Sequence, residues 1–140
     1  MSVHVLDTDT LSLLQRGNEM VGEHFSRYPA DQVATTIVSV EEQLSGWYTL
    51  LRRAKTAREL VPVYQRMNDT LRFLSSLTVL SFTEEAADRY ETLRRARPRV
   101  SRMDLRIGAI AISFNAILVT RNLRDFGAID GLTIVDWSRN

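Results

Sequence analysis

Along the chain, short β-prone apolar runs alternate with longer stretches in which hydrophobic residues recur at three and four. The first run, Val3-His4-Val5-Leu6, stops at Asp7, and Leu11, Leu13 and Leu14 then mark a helix closed by Gly17. A polar connector is expected from Glu23 to Asp31, around Pro29, followed by a β-branched strand over 32–38. Ser39-x-x-Glu42 has the form of a capping box, so a helix is expected from Ser39 with Leu44, Trp47, Tyr48 and Leu51 on its apolar stripe, ending near Arg52, Arg53 and Lys55. After a short turn over 56–61, Pro62 opens a second helix to residue 76, with Val63, Met67, Leu71 and Leu74 in register. These two helices form a hairpin that reads as a plain structural cover.

Residues 78–82 predict a third strand, and Thr83 caps a helix that turns Ala86, Tyr90 and Leu93 inward until Pro98 breaks it. Ser101 then caps a helix whose body, Leu105 to Phe114, is apolar nearly all round apart from Arg106, the mark of a central buried helix. Ile117-Leu118-Val119-Thr120 and residues 133–137 supply the last strands. Strands alternating with helices imply an α/β fold: a parallel sheet with right-handed crossovers, helices on both faces, and the helical hairpin after the second strand.

Composition narrows the picture without changing it. A chain of 140 residues that is 44% hydrophobic suits one domain spanning 1–140. No segment approaches the roughly 18 uninterrupted apolar residues of a membrane span, so a cytoplasmic protein with no membrane partner is expected. Absence of cysteine removes disulfides, thiolate zinc sites and cysteine nucleophiles, and the two histidines are far apart. The net charge of +1 hides a lopsided basic set, in which Lys55 is the sole lysine. Arginine forks onto phosphate and fits a nucleic-acid partner, although codon bias produces the same excess.

The chemistry-bearing feature is the placement of acids. In an open parallel sheet the functional crevice lies beyond the carboxyl ends of the strands. Asp7 follows the first strand, Glu42 the second, and Asp125 with Asn122 the strand ending at Thr120, while Asp104 opens the helix leading into that strand. Helix capping explains these acids one at a time: Glu42 and Asp104 each stand third in a capping box, and Asn122-x-x-Asp125 could be another. Capping does not require the helix starts to fall at one edge of one sheet. Two carboxylates about 4 Å apart repel by about 4 kcal/mol at an effective dielectric of 20, so a cluster must take up protons or hold a cation. With only oxygen donors on offer, Mg²⁺ or Mn²⁺ is the natural ion, and metal-dependent phosphodiester hydrolysis is the reaction these residues support best. Arg94, Arg95, Arg97, Arg99 and Arg102, ahead of Asp104, and Arg121 with Arg124 on the other side, are the candidates to hold the substrate backbone. Asp9 is expected to cap the first helix, leaving Asp7 as the chemical candidate at the strand tip.

The order of motifs resembles the PIN-domain ribonucleases, particularly the VapC-like toxins of bacterial toxin–antitoxin pairs. The resemblance rests on Leu6-Asp7-Thr8-Asp9, on Val38-Ser39-Val40-Glu41-Glu42-Gln43-Leu44-Ser45-Gly46-Trp47, on Asp104 with the Ile107–Ile112 helix, and on Leu118-Val119-Thr120-Arg121-Asn122-Leu123-Arg124-Asp125-Phe126. It implies a PIN-like sheet with the first strand central, a Mg²⁺ or Mn²⁺ site, endonucleolytic cleavage of RNA, a homodimer, and a cognate antitoxin. By position, Asp7, Glu42 and Asp104 match the family's metal-binding acids, and Asp125 or Asn122 takes the fourth place. Asp9, Thr120 and Asn122 are expected just behind the metal-binding acids, with Asp9 reaching the metal through water or orienting the turn.

Two rivals remain. Asp7-x-Asp9 after a hydrophobic strand also resembles the nucleophile motif of haloacid-dehalogenase-like phosphatases. That family needs threonine or valine where Leu11 stands and a lysine in the second half, and Lys55 lies in the hairpin. A non-catalytic PIN-like module that binds RNA or protein would keep the same fold.

Overall fold

A computed structural model describes residues 2–139; the two outermost positions of the expected 1–140 domain lie outside it. The chain runs β1 (His4–Leu6), α1 (Thr8–Gln15), α2 (Glu19–Ser26), β2 (Val33–Thr36), α3 (Ile37–Arg53), α4 (Ala57–Ser75), β3 (Thr78–Leu80), α5 (Glu84–Ala96), α6 (Arg102–Ser113), β4 (Ile117–Val119), α7 (Leu123–Gly127) and β5 (Thr133–Val135). All five strands are parallel, in the order β3-β2-β1-β4-β5, so the first strand is central as expected. Its neighbours are locked in register, with Leu6 opposite Thr35 on one side and Val119 on the other.

The period-two alternation of the strands sorts their side chains into two hydrophobic clusters, one for each face of the sheet. Val5, Ala34 and Leu118 pack with Ala86 and Leu93 of α5, Ile107 and Ile110 of α6, and Phe126 of α7. Leu6, Val33 and Val119 pack with Leu11, Val21, Leu74 and Trp137. The helix starting at Arg102 is the most buried in the protein, as its apolar circumference requires.

Several expectations need correcting. The connector over 23–31 is in large part helical: α2 extends to Ser26, capped by Asn18, whose side chain accepts from the Val21 amide at 3.1 Å. The second strand ends at Thr36, not at residue 38, and Ile37 and Val38 already belong to α3. The fourth and fifth strands end earlier than expected, at Val119 and Val135. In the hairpin, Pro62 does not start a helix; it sits inside α4, which is capped by Thr56. Pro62 is solvent-exposed, so the carbonyl it leaves unpaired can be hydrated. The hairpin also covers less than its stripes suggest. In α4 only Leu74 is buried, and Tyr48 and Leu71 are 50% and 55% exposed.

Candidate active site

Strand β1 delivers Asp7 to the centre of the sheet's carboxyl edge, where its amide donates to the Val119 carbonyl at 3.1 Å. Asp7, not Asp9, is the cap of α1. Its backbone is still extended, and Oδ1 accepts from the Thr10 amide at 2.8 Å. Oδ2 accepts from the Thr120 hydroxyl at 2.6 Å, and the same hydroxyl oxygen accepts from the Asn122 amide at 2.9 Å. With its single proton committed to Asp7 and a lone pair to the backbone, Thr120 fixes the carboxylate's orientation. Asp7 is buried, and that burial pushes its carboxyl above the ordinary aspartate range despite the hydrogen bonds that favour its charge.

Asp9 sits in the first turn of α1 and points to the rim. Its two oxygens accept from Nε and Nη2 of Arg121, at 2.7 and 2.8 Å, and this fork joins the loop after β4 to the start of α1. Arg121 therefore has its hydrogen-bonding edge engaged by Asp9 in this structure.

Glu42 reaches the edge by another route than the expected capping box. Thr36 is the cap of α3 and accepts from the Ser39 amide at 3.1 Å, so Ser39 lies in the first turn and Glu42 a further turn along. A Thr-x-x-Ser pattern that begins at the strand end has displaced the Ser-x-x-Glu reading. The Glu42 side chain meets Thr8 Oγ1 at 2.5 Å. Asp104 stands where expected, with Ser101 capping α6 through the Asp104 amide at 3.1 Å. Asn122 caps α7, accepting from the Asp125 amide at 3.3 Å and donating to Asp125 Oδ2 at 3.2 Å.

These elements converge on a cleft of about 340 Å³ lined by Asp7, Thr8, Asp9, Glu42, Asp104 and Asn122, with Phe126 and Ser12 completing it. Asp125 is turned away, into a neighbouring cleft of about 320 Å³ shared with Arg97, Arg99 and Arg124. Its charge is still felt at Asp104, whose carboxyl is pushed up first by burial and then by Glu42, Asp7 and Asp125. Of the remaining candidate arginines, Arg95 and Arg102 are exposed, and Arg97 donates through Nε to the Ala128 carbonyl at 2.7 Å. Sequence reasoning missed Thr8 and Ser12 at the cleft. The signal for Thr8 is its place directly after Asp7, at the first helical position facing α3.

An all-oxygen donor set suits a hard divalent cation, and the raised carboxyls of Asp7 and Asp104 carry an electrostatic cost that such an ion would relieve. Among the described residues no three acids or histidines close into a ready-made metal cage, so the acids line the cleft without enclosing a point within it. The raised carboxyl of Asp104 has a consequence for stability. A folded-state proton affinity above the unfolded one makes the charged form unfavourable once pH rises past the ordinary carboxylate range, and removes the penalty in acid. In chelator, Asp104→Asn should therefore raise Tm at about pH 7, and the gain should fade as pH drops towards about 3. Circular-dichroism melts at both pH values check this.

An open parallel sheet with an acid-lined cleft at its carboxyl edge and arginines beside it defines the class of this protein. The chain belongs to the PIN domain family, which matches residues 5–132. It is similar to a protein named Ribonuclease VapC1 from Haemophilus influenzae strain R2866, with 24% identity over 98% of this chain and 99% of the relative. Among solved structures it resembles VapBC2 from Rickettsia felis bound to a promoter DNA fragment, with a TM-score of 0.78, 22% identity, and 96% and 98% of the two chains covered. DNA-bound VapBC from Salmonella typhimurium gives a TM-score of 0.74 at 27% identity, covering 98% and 99%. Membership of the PIN family sets aside the phosphatase resemblance of Asp7-x-Asp9. No helix among the described residues is long and apolar enough to cross a membrane.

Proposed function

We propose that this protein is an endoribonuclease that hydrolyses RNA phosphodiester bonds with the help of Mg²⁺ or Mn²⁺, and that it is the toxin of a toxin–antitoxin pair. The observation that carries this reading is the gathering of Asp7, Glu42 and Asp104, from three separate elements, in one cleft at the strand ends. Asp7, Glu42 and Asp104 would hold the ion, and Asn122, with Asp125 behind it, would complete the site. When bound, such an ion polarises a phosphoryl oxygen and lowers the pKa of water to supply hydroxide.

The chain's own residues do the rest. Thr120 holds Asp7 in one orientation, and Asp9 and Arg121 clip the rim of the cleft. Arg97, Arg99 and Arg124 surround the neighbouring cleft, where they would steer and hold the sugar-phosphate backbone. Two relatives by structure are VapBC assemblies, which supports a cognate antitoxin as partner. A second copy of the chain is the other partner in this reading. The exposed apolar residues of α3 and α4, Tyr48, Leu50, Val61, Tyr64 and Leu71, are surface available to them.

The test is cleavage of total RNA, including tRNA and rRNA, by the purified protein. Chelation with EDTA should abolish cleavage, and Mg²⁺ or Mn²⁺ should restore it. Metal-independent cleavage would overturn the assignment of the acids, and tight RNA binding without cleavage under any metal would favour the non-catalytic binding module.

A further inference from the structure

Four polar side chains run in a line from the interior of the sheet to the cleft. Thr36 and Ser39 are fully buried, Thr8 is half-buried, and Glu42 ends the line at the cleft. Ser39 Oγ lies 3.3 Å from Thr36 Oγ1 and 3.0 Å from Thr8 Oγ1, and Thr8 Oγ1 lies 2.5 Å from Glu42 Oε1. The Thr36 oxygen already accepts from the Ser39 amide at 3.1 Å.

Each hydroxyl has one proton, and a carboxylate oxygen only accepts. The Thr8 proton must therefore lie on the side of Glu42. The Thr8–Ser39 contact is then a hydrogen bond only if Ser39 donates to Thr8, and the Ser39–Thr36 contact only if Thr36 donates to Ser39. One arrangement satisfies every contact, and in it all three protons point towards Glu42. Hydrogen bonds chained in this sense polarise one another. Ser39 is fully buried in the first turn of α3, and its hydroxyl is engaged by Thr36 and Thr8.

We propose that Thr8, backed by Ser39 and Thr36, is a positioning residue that holds Glu42 Oε1 and leaves Oε2 as the oxygen available to the divalent cation. This rests on the reading of Glu42 as a residue that holds that cation. Thr8 then does for Glu42 what Thr120 does for Asp7, and each of these two acids is oriented by one hydroxyl.

The experiment measures Mn²⁺ binding calorimetrically in wild type, Thr8→Val, Thr8→Ser, Ser39→Ala and Glu42→Gln, alongside metal-free melts. Partners that orient metal-holding side chains typically change affinity by about 10–100-fold. Thr8→Val should therefore weaken Mn²⁺ binding about tenfold. Thr8→Ser, which keeps the hydroxyl, should stay within about threefold of wild type, and Ser39→Ala should fall between them. If Thr8→Val fails to fold, Ser39→Ala decides, because it breaks the line one member further back. Wild-type affinity in Thr8→Val, or in Ser39→Ala where that decides, with affinity lost in Glu42→Gln, overturns the role of Thr8 and leaves the site standing. Wild-type affinity in Glu42→Gln overturns the underlying reading of the site.

Discussion

Asp7→Asn is expected to lower RNA cleavage by about a thousandfold or more, roughly 4 kcal/mol of transition-state stabilisation at 1.36 kcal/mol per tenfold, while the protein stays folded. The two halves of this expectation come from different contacts. The amide oxygen of asparagine can still accept from the Thr10 amide, so the cap of α1 survives. The amide nitrogen lands where Oδ2 met the Thr120 hydroxyl, and that hydroxyl must turn to accept from it. The cost of that turn is offset by removal of a buried charge whose carboxyl was already pushed up by desolvation. A metal-free Tm within a few degrees of wild type, with cleavage at background, is the predicted pair of measurements. Near-normal cleavage by a folded Asp7→Asn protein would show that the centre of the sheet edge is not where hydrolysis is driven.

Much of this arrangement is legible in the amino-acid sequence, because the governing signals are local. The strand-ending acids, the apolar circumference of α6 and the Thr83 and Ser101 caps depend on a few neighbouring residues, and they place Asp7, Glu42 and Asp104 at one edge. What is not legible depends on competition between equally good local signals. Ser39-x-x-Glu42 and Thr36-x-x-Ser39 are overlapping capping patterns, and the choice between them is made by the sheet. Strand β2 pairs with β3 only as far as Thr36 opposite Leu80, and the chain then leaves for α3. Asp7 and Asp9 pose the same problem at α1. The Asp7 amide is held by Val119 on the neighbouring strand, which keeps Asp7 extended and makes it the cap, a contact between residues remote in sequence.

The fourth acid shows another kind of limit. Asn122 and Asp125 are three apart on one turn of helix, and either could face the cleft. The short α7 is capped by Asn122 itself, which brings that side chain to the cleft and turns Asp125 towards Arg97, Arg99 and Arg124. Thr8 is hidden for a third reason. Its partner Glu42 lies on a different helix, and no periodicity along one segment reports a contact between two.

The largest effect on stability is expected at Phe126, which belongs to the core and to the cleft together. Its ring is 1% exposed, packs in the cluster beneath α6 with Ile129, and forms part of the lining against Asp7 and Asp104. Phe126→Ala should cost about 3–5 kcal/mol, the usual range for deleting a buried ring, and lower Tm by about 10 °C or more in a chain of this size. Phe126→Leu should retain most of that stability. The functional consequence separates core from cleft. An ion that binds only the folded state raises Tm by mass action, so saturating Mn²⁺ should stabilise wild type in proportion to its affinity. Because α7 is five residues long and anchored by this one buried side chain, losing the ring should loosen Asn122 and Asp125 and shrink the Mn²⁺-induced rise as well as the metal-free Tm. An unchanged rise in a destabilised Phe126→Ala protein would mean that the ring supports the fold but not the position of the residues above it.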